Sequence, residues 1–277
     1  MQTDILLVPM GAAFADMRDA ASAAESAGFD GIWTWDHLRP DSMRRASPPP
    51  ECWTSLTAIA ALTPRVMVGP LVLNVANRHP GVLANMAATL QQVSGGRLLL
   101  GIGAGGNMGT PYAAEQIAIG QEVPVDRERA EQVAEAIQVM RRLWSGNTGS
   151  FGGKHFQLEK PSGYLPAEPP PPVIVGGFGP RMAEIAGRYG DGFNTPAGHP
   201  QLEALLKVAR RAHADSGRVP RSFIATVFAG MDERYLRPNS RDRAALDNLG
   251  VNRLILLADT PYRVADIRSA GRLLQGR

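Results

Sequence analysis

Cysteine is nearly missing from this chain. Cys52 is the one cysteine in 277 residues, so neither an intrachain disulfide framework nor a Cys-cluster metal site can be assembled. No apolar run approaches the ~20 residues that a bilayer-spanning helix requires. Residues 1–4 lack the basic flank and long apolar core of a secretory signal. Charge of one sign is scarce too: 29 basic against 26 acidic residues leave a formal net charge of +3. That excess is scattered, with no Lys/Arg block to track a phosphate backbone, so neither nucleic acid nor membrane is expected as a partner. The chain is expected to be soluble and cytoplasmic. No serine elbow or Cys/His pairing supports covalent hydrolysis, and no His/Asp/Glu spacing fits a metal site.

What the chain does have is apolar residues, 44% of the total, enough to bury a sizeable core. Its most informative stretch is residues 98–107. Leu98, Leu99, Leu100 and Ile102 suit a strand buried on both faces, and Gly101, Gly103, Gly105 and Gly106 crowd its end. Glycines just past a strand let a ligand approach the backbone and its N–H groups. Gly101, Gly103 and Gly106 also satisfy the G-x-G-x-x-G spacing of a dinucleotide fold. That reading fails in context. It requires a helix opening inside the glycines, then a strand ending in an acidic residue about 20 residues on. Here residues 107–112 and 120–124 read as loop, and the glycines follow a fourth strand rather than opening the fold.

Along the chain, apolar runs at 5–8, 31–35, 65–74 (interrupted by Pro70), 97–103, 173–175, 191–194, 223–228 and 253–257 read as strands. Helical spacing predicts helices over 16–27, 53–62, 82–93, 126–144, 181–189, 202–214, 241–249 and 262–274. The helix over 126–144 carries Val133, Ile137, Met140 and Trp144 on one face. Thr54 and Ser55 stand near the start of the 53–62 helix, and Gly28 closes the first one. Eight strands alternating with eight helices predict a parallel sheet covered by helices; at this length they point to a (β/α)8 TIM barrel as one domain over 1–277. Residues 145–172, with a small hairpin at 151–157 and a proline-rich connection, read as an insertion. In such a barrel, chemistry lies past the carboxyl ends of the strands. Asp36, His37, Asn74, Gly103–Gly106, Gly176, Gly177 and Asn194 all stand there.

With these residues in place, the chain resembles the bacterial luciferase-like monooxygenase superfamily over most of its length. The resemblance is carried by Ala27-Gly-Phe-Asp-Gly-Ile-Trp33, Trp35-Asp-His-Leu38, residues 69–74 with Arg78-His-Pro80, residues 94–105, Val175-Gly-Gly-Phe-Gly-Pro180 and Asp191-Gly-Phe-Asn194. It implies a barrel that binds a flavin, or the deazaflavin coenzyme F-420 (F420), at the strand ends. Asp36, His37 and Leu38 stand where the flavin monooxygenases carry an acidic-His-His signature, and they resemble the F420-dependent branch. The resemblance therefore implies an oxidoreductase moving hydride between F420 and a small organic substrate, with FMN and an FMNH2-dependent monooxygenase as the alternative. A cofactor-binding protein without turnover is the third reading, and the resemblance further implies a homodimer.

The site residues follow from the same likeness. His37 would assist proton transfer beside the deazaflavin, or else tie its loop to a backbone carbonyl. Asp36 stands with it in the catalytic pair and is expected to orient His37 or cap a turn rather than to react. Leu71 and Val72 fall where relatives have a non-prolyl cis peptide behind the cofactor ring; read from the residues alone they form a bulge after Pro70. Asn74 either bonds the ring edge or ends the strand. Gly103, Ala104, Gly105 and Gly106, with Gly176, Gly177 and Phe178, would offer backbone N–H groups to the cofactor phosphate.

Some residues depart from the family pattern. F420-dependent sugar-phosphate dehydrogenases have a glutamate proton donor after the first glycine turn, where this chain has Gly106. That argues against the sugar-phosphate reaction. Phe178 replaces a usually small residue in the second loop, and the C-terminal third looks trimmed. Trp33, Trp53 and Trp144 are expected in the core, His79 in a structural role at a helix entry, His155 in an exposed hairpin, and His199 and His213 on or near surface helices.

Overall fold

The computed structural model describes residues 1–40 and 47–276. Strands and helices alternate as the apolar runs require. In order they are β1 (Gln2–Leu7), α1 (Phe14–Ala27), β2 (Gly31–Thr34), α2 (Cys52–Leu62), β3 (Met67–Pro70), β4 (Leu73–Asn74), α3 (Pro80–Val93) and β5 (Leu100–Gly103). Next come α4 (Pro111–Ala118), α5 (Asp126–Trp144), β6 (Phe151–Gly152), β7 (Gln157–Leu158), β8 (Val173–Gly176), α6 (Pro180–Tyr189), β9 (Gly192–Pro196) and α7 (Leu202–Asp215). The chain closes with β10 (Ile224–Gly230), α8 (Glu233–Leu236), α9 (Arg241–Asn248), β11 (Arg253–Ala258) and α10 (Val264–Leu274).

Nine of the strands form one sheet in the order β3-β2-β1-β11-β10-β9-β8-β5-β4, and its neighbours pair in parallel. A parallel bridge between Val68 and Leu98 joins the two edges. β3 and β4 are thus two halves of one interrupted strand, and the sheet is a barrel of eight strand positions, as expected. Among the described residues only β6 and β7 pair antiparallel, making the hairpin inside residues 145–172.

Local chemistry explains where the elements stop. Gly28 ends α1 in the left-handed region at φ 90°, where a Cβ would be penalised. In α5, Asp126 and Glu128 lie in the first turn and Arg141 and Arg142 in the last, matching the helix dipole. His79 caps α3 by accepting from Gly81 N at 3.1 Å, which is the structural role expected for it. At α2, Glu51 is the cap; its carboxylate accepts from Trp53 N and Thr54 N.

Two apolar layers hold the barrel. One lies between strands and helices and includes Trp53, Ile137, Met140 and Trp144. The other fills the interior with Leu6, Val8, Met10, Trp33, Leu71, Leu99 and Ile255; a fully buried side chain of this kind contributes about 1.5–3 kcal/mol. At the amino ends of the strands a buried ion pair forms the floor. Arg253 donates to both oxygens of Asp4 at 2.7 Å, and Trp33 Nε1 donates to Asp4 at 2.8 Å. Burial pushes the Asp4 carboxyl above its ordinary range, with Arg253 and Trp33 opposing the shift. With the floor closed by this pair, the opposite end is left for chemistry.

One expectation is corrected. Residues 111–118, partly read as loop, form α4, whose Thr110 cap and Pro111 at the first helical position are a recognised start signal. His213 stands on the outer helix α7 as expected, with its side chain turned inward: its Nε2 lies 3.2 Å from Val219 O and 3.1 Å from Ser222 Oγ. Among the described residues, no helix is long and apolar enough to cross a membrane.

Candidate active site

The carboxyl ends of the strands surround a cavity of ≈ 730 Å³. Every residue singled out in the sequence lines it: Asp36 and His37 after β2, Leu71, Val72 and Asn74 at the β3–β4 interruption, Gly103–Gly106 after β5, and Gly176, Gly177 and Phe178 after β8. Sequentially distant residues meet because parallel strands all deliver their following loops to one end.

The Leu71–Val72 peptide bond is cis, as the family likeness implied. Val72 then stands between two glycine-ended strands. A Cβ built on Gly103 would lie 2.6 Å from Val72 Cγ2, and one on Gly176 would lie 3.0 Å from both Val72 methyls. A larger residue at 103 would collide with Val72, and one at 176 would press on both its methyls. The glycines are thus required by the bulge as well as by a ligand's approach.

After β5 the chain turns through Gly105 at φ +69° and is tied down from behind by Arg129. This buried arginine on α5 donates to Ala104 O at 2.9 Å and Gly105 O at 2.8 Å, and its other amino group reaches Asn107 and Asp126. With those carbonyls engaged, the loop is held in one orientation. Arg129 escaped the sequence reading because α5 carries many charges and nothing local marks this one as buried. After β8, Gly179 caps α6 with Pro180 at its first position, so the N–H end of that helix opens on the cavity. Phe178 beside it is 67% exposed.

Asn74 does end its strand, since Oδ1 accepts from Ala76 N at 3.0 Å. Its Nδ2 keeps no partner among the described residues. Of the two roles expected for Asp36, orienting His37 or capping a turn, the structure shows the second. Asp36 accepts from Arg78 through both oxygens, at 2.8 and 2.9 Å, and from Asn74 N at 3.0 Å. Burial works against the Arg78 charge, but Asp36 and then Glu51 outweigh it and hold the guanidinium above its usual range. Asp36 therefore fastens the β4 turn and does not touch the imidazole.

The group that does touch it is Glu115, on α4, in a stretch to which no element was assigned from the sequence. His37 Nδ1 lies 3.0 Å from Glu115 Oε1, and Leu38 N donates to Glu115 Oε2 at 2.9 Å. Tyr112 of the same helix stacks on the His37 ring at 4.6 Å between centroids and 21°. α4 also explains Gly106. A Cβ there would lie 2.5 Å from Tyr112 Cβ, 2.6 Å from Thr110 Oγ1 and 2.8 Å from Ala113 N. No glutamate can stand at 106 while α4 occupies this place; a carboxylate reaches the site from Glu115 instead. Among the described residues, no group of three or more His, Cys, Asp or Glu could hold a metal.

A luciferase-like monooxygenase family model matches residues 2–259. The chain belongs to the luciferase-like monooxygenase family. This luciferase-like chain is 34% identical over 208 residues to an F420-dependent glucose-6-phosphate dehydrogenase from Nakamurella multipartita, covering 73% of this chain and 59% of that protein. It is 33% identical over 203 residues to an F420-dependent hydroxymycolic acid dehydrogenase from Mycobacterium tuberculosis, covering 72% and 54%. The chain thus spans somewhat over half the length of these relatives. In fold, the luciferase-like barrel superposes on an F420-dependent secondary alcohol dehydrogenase in complex with an F420-acetone adduct with a TM-score of 0.84, at 22% identity and over 99% and 98% of the two chains. An F420-dependent tetrahydromethanopterin reductase from Methanopyrus kandleri gives a TM-score of 0.78 at 18% identity, over 99% and 98%.

Proposed function

We propose that this chain is an oxidoreductase that moves hydride between F420 and a small organic substrate, with His37 handling the accompanying proton. The observation that carries the reading is the convergence on one cavity of His37, the Val72 bulge and two glycine loops. The cavity suits the group. Gly105, Gly106 and Gly179 leave backbone N–H groups for an anionic tail, whereas Gly177 N already donates to Asn194 O at 3.0 Å; Val72 offers an apolar back wall, and Asn74 Nδ2 is a donor with no partner among the described residues. F420, once bound, supplies the hydride acceptor or donor. The chain's part is to fix the ring against Val72, keep water from it with Trp35 and Tyr112, and take or give a proton at His37 Nε2.

The substrate is proposed to lack a sugar phosphate's demands, because α4 denies position 106 a carboxylate. We further infer a homodimer, which light scattering would check.

Parallel titration with F420 and FMNH2 tests the reading. Tighter F420 binding is expected, and tighter flavin binding would replace the proposal by a flavin-dependent monooxygenase. His37→Ala should lower turnover by about 10²-fold or more while F420 affinity stays within a few-fold. F420 binding without reduction by any alcohol of a broad panel would leave a binding protein.

A further inference from the structure

We infer that Glu115 is the positioning residue that sets which ring nitrogen of His37 carries the proton, and so leaves Nε2 free to accept one. The argument begins with Leu38. Its backbone N–H can only donate, and it donates to Glu115 Oε2 at 2.9 Å. That contact anchors the carboxylate and turns Oε1 to His37 Nδ1 at 3.0 Å. A carboxylate can only accept, so Nδ1 must carry the hydrogen. In the neutral ring Nε2 then bears the lone pair.

Three features hold this arrangement. The Glu115 side chain is 4% exposed against 21% for His37, so water competes poorly for the carboxylate. Tyr112, one turn before Glu115 on α4, stacks on the imidazole and fixes its plane. Among the described residues Nε2 has no partner, while both residues line the cavity. The two contacting groups are 78 residues apart, and α4 is the element that brings them together. With its two oxygens engaged by His37 Nδ1 and Leu38 N, Glu115 acts through His37. Were a carbinol oxidised here, bound F420 would supply the acceptor for the C–H hydrogen with its electron pair, and His37 Nε2 would take the O–H proton as the C=O bond formed. This catalytic consequence rests on the F420 reading, whereas the tautomer does not.

Glu115→Gln tests the inference sharply, because the two amide ends are not equivalent here. The Leu38 N–H cannot become an acceptor, so the Gln oxygen must turn to it. The amide NH2 then faces Nδ1 and forces that nitrogen to accept, which moves the ring hydrogen to Nε2. Long-range 1H–15N spectra of the cofactor-free protein should show the Nδ1–H form in the wild type and the Nε2–H form in E115Q. With F420 and an alcohol substrate, kcat should fall about tenfold to a hundredfold, as for loss of an orienting partner, with the F420 Kd within twofold. A melting curve close to wild type establishes that E115Q folds, and Glu115→Ala, in which nothing restrains the ring, should give a mixture of the two tautomers. An unchanged tautomer in E115Q, or an Nε2–H wild type, would overturn the inference. Failure of the wild type to bind F420 would overturn the proposed function and leave the tautomer measurement to decide the role of Glu115.

Discussion

Asp36→Asn separates a fastening role from a catalytic one. The substitution conserves shape and removes charge, so no cavity complicates the outcome. In the wild type, Asp36 is 3% exposed and accepts from both Arg78 amino groups and from Asn74 N. An asparagine has one acceptor oxygen. If it keeps the Asn74 N–H, its NH2 group faces the guanidinium, donor against donor. Breaking a buried pair by removing one partner costs about 3–5 kcal/mol. Arg78 keeps Glu51 as a second partner and its side chain is 13% exposed, which places the cost near the lower end, about 3 kcal/mol. At about 2.1 cal/mol/K per residue, a chain of 277 residues should then melt roughly 5 °C lower. Thermal unfolding followed by calorimetry reads this directly. A cycle with Arg78→Ala should return a coupling of about 2 kcal/mol, because the two losses are one interaction. The His37 tautomer should not change. A melting point within a degree of wild type, or a tautomer change in D36N, would refute this account of Asp36.

Two further outcomes follow from buried and charged groups elsewhere. Cys52 is 1% exposed and burial, followed by the charge of Asp36, pushes its thiol well above the ordinary range, so a disulfide reagent at pH ~8 should leave the native protein unlabelled and react at once in denaturant; rapid native labelling would contradict this burial. Glu131 is held down to about 2 from its ordinary 4.5 by hydrogen bonds from Arg127, Lys154 and His155. Its folded value lies below its unfolded one, so what it adds to holding the hairpin is complete above pH 4.5, erodes below that and is gone once pH has fallen through about 2. A carboxyl NMR titration with its midpoint near 4.5 would show that these contacts do not persist in solution.

The barrel was legible from local pattern because each strand is a short apolar run and each long helix has a stripe of 3.6-residue period. Those features are one-dimensional, and α5 was read to its exact ends. The short elements were not so legible. α4 has eight residues, too few for a periodic stripe to stand out, although Thr110 and Pro111 mark its start. That omission concealed the partner of His37.

Composition and order by themselves determined the barrel, the strand ends at which the site lies and the glycines that border it, since all of these depend on neighbours in the chain. Tertiary structure decided the partnerships. It gave Asp36 to Arg78, 42 residues on, Glu115 to His37 and Arg129 to the Gly105 loop. A side chain's hydrogen-bond partner is set by which loops share one end of a barrel, and no local spacing encodes that.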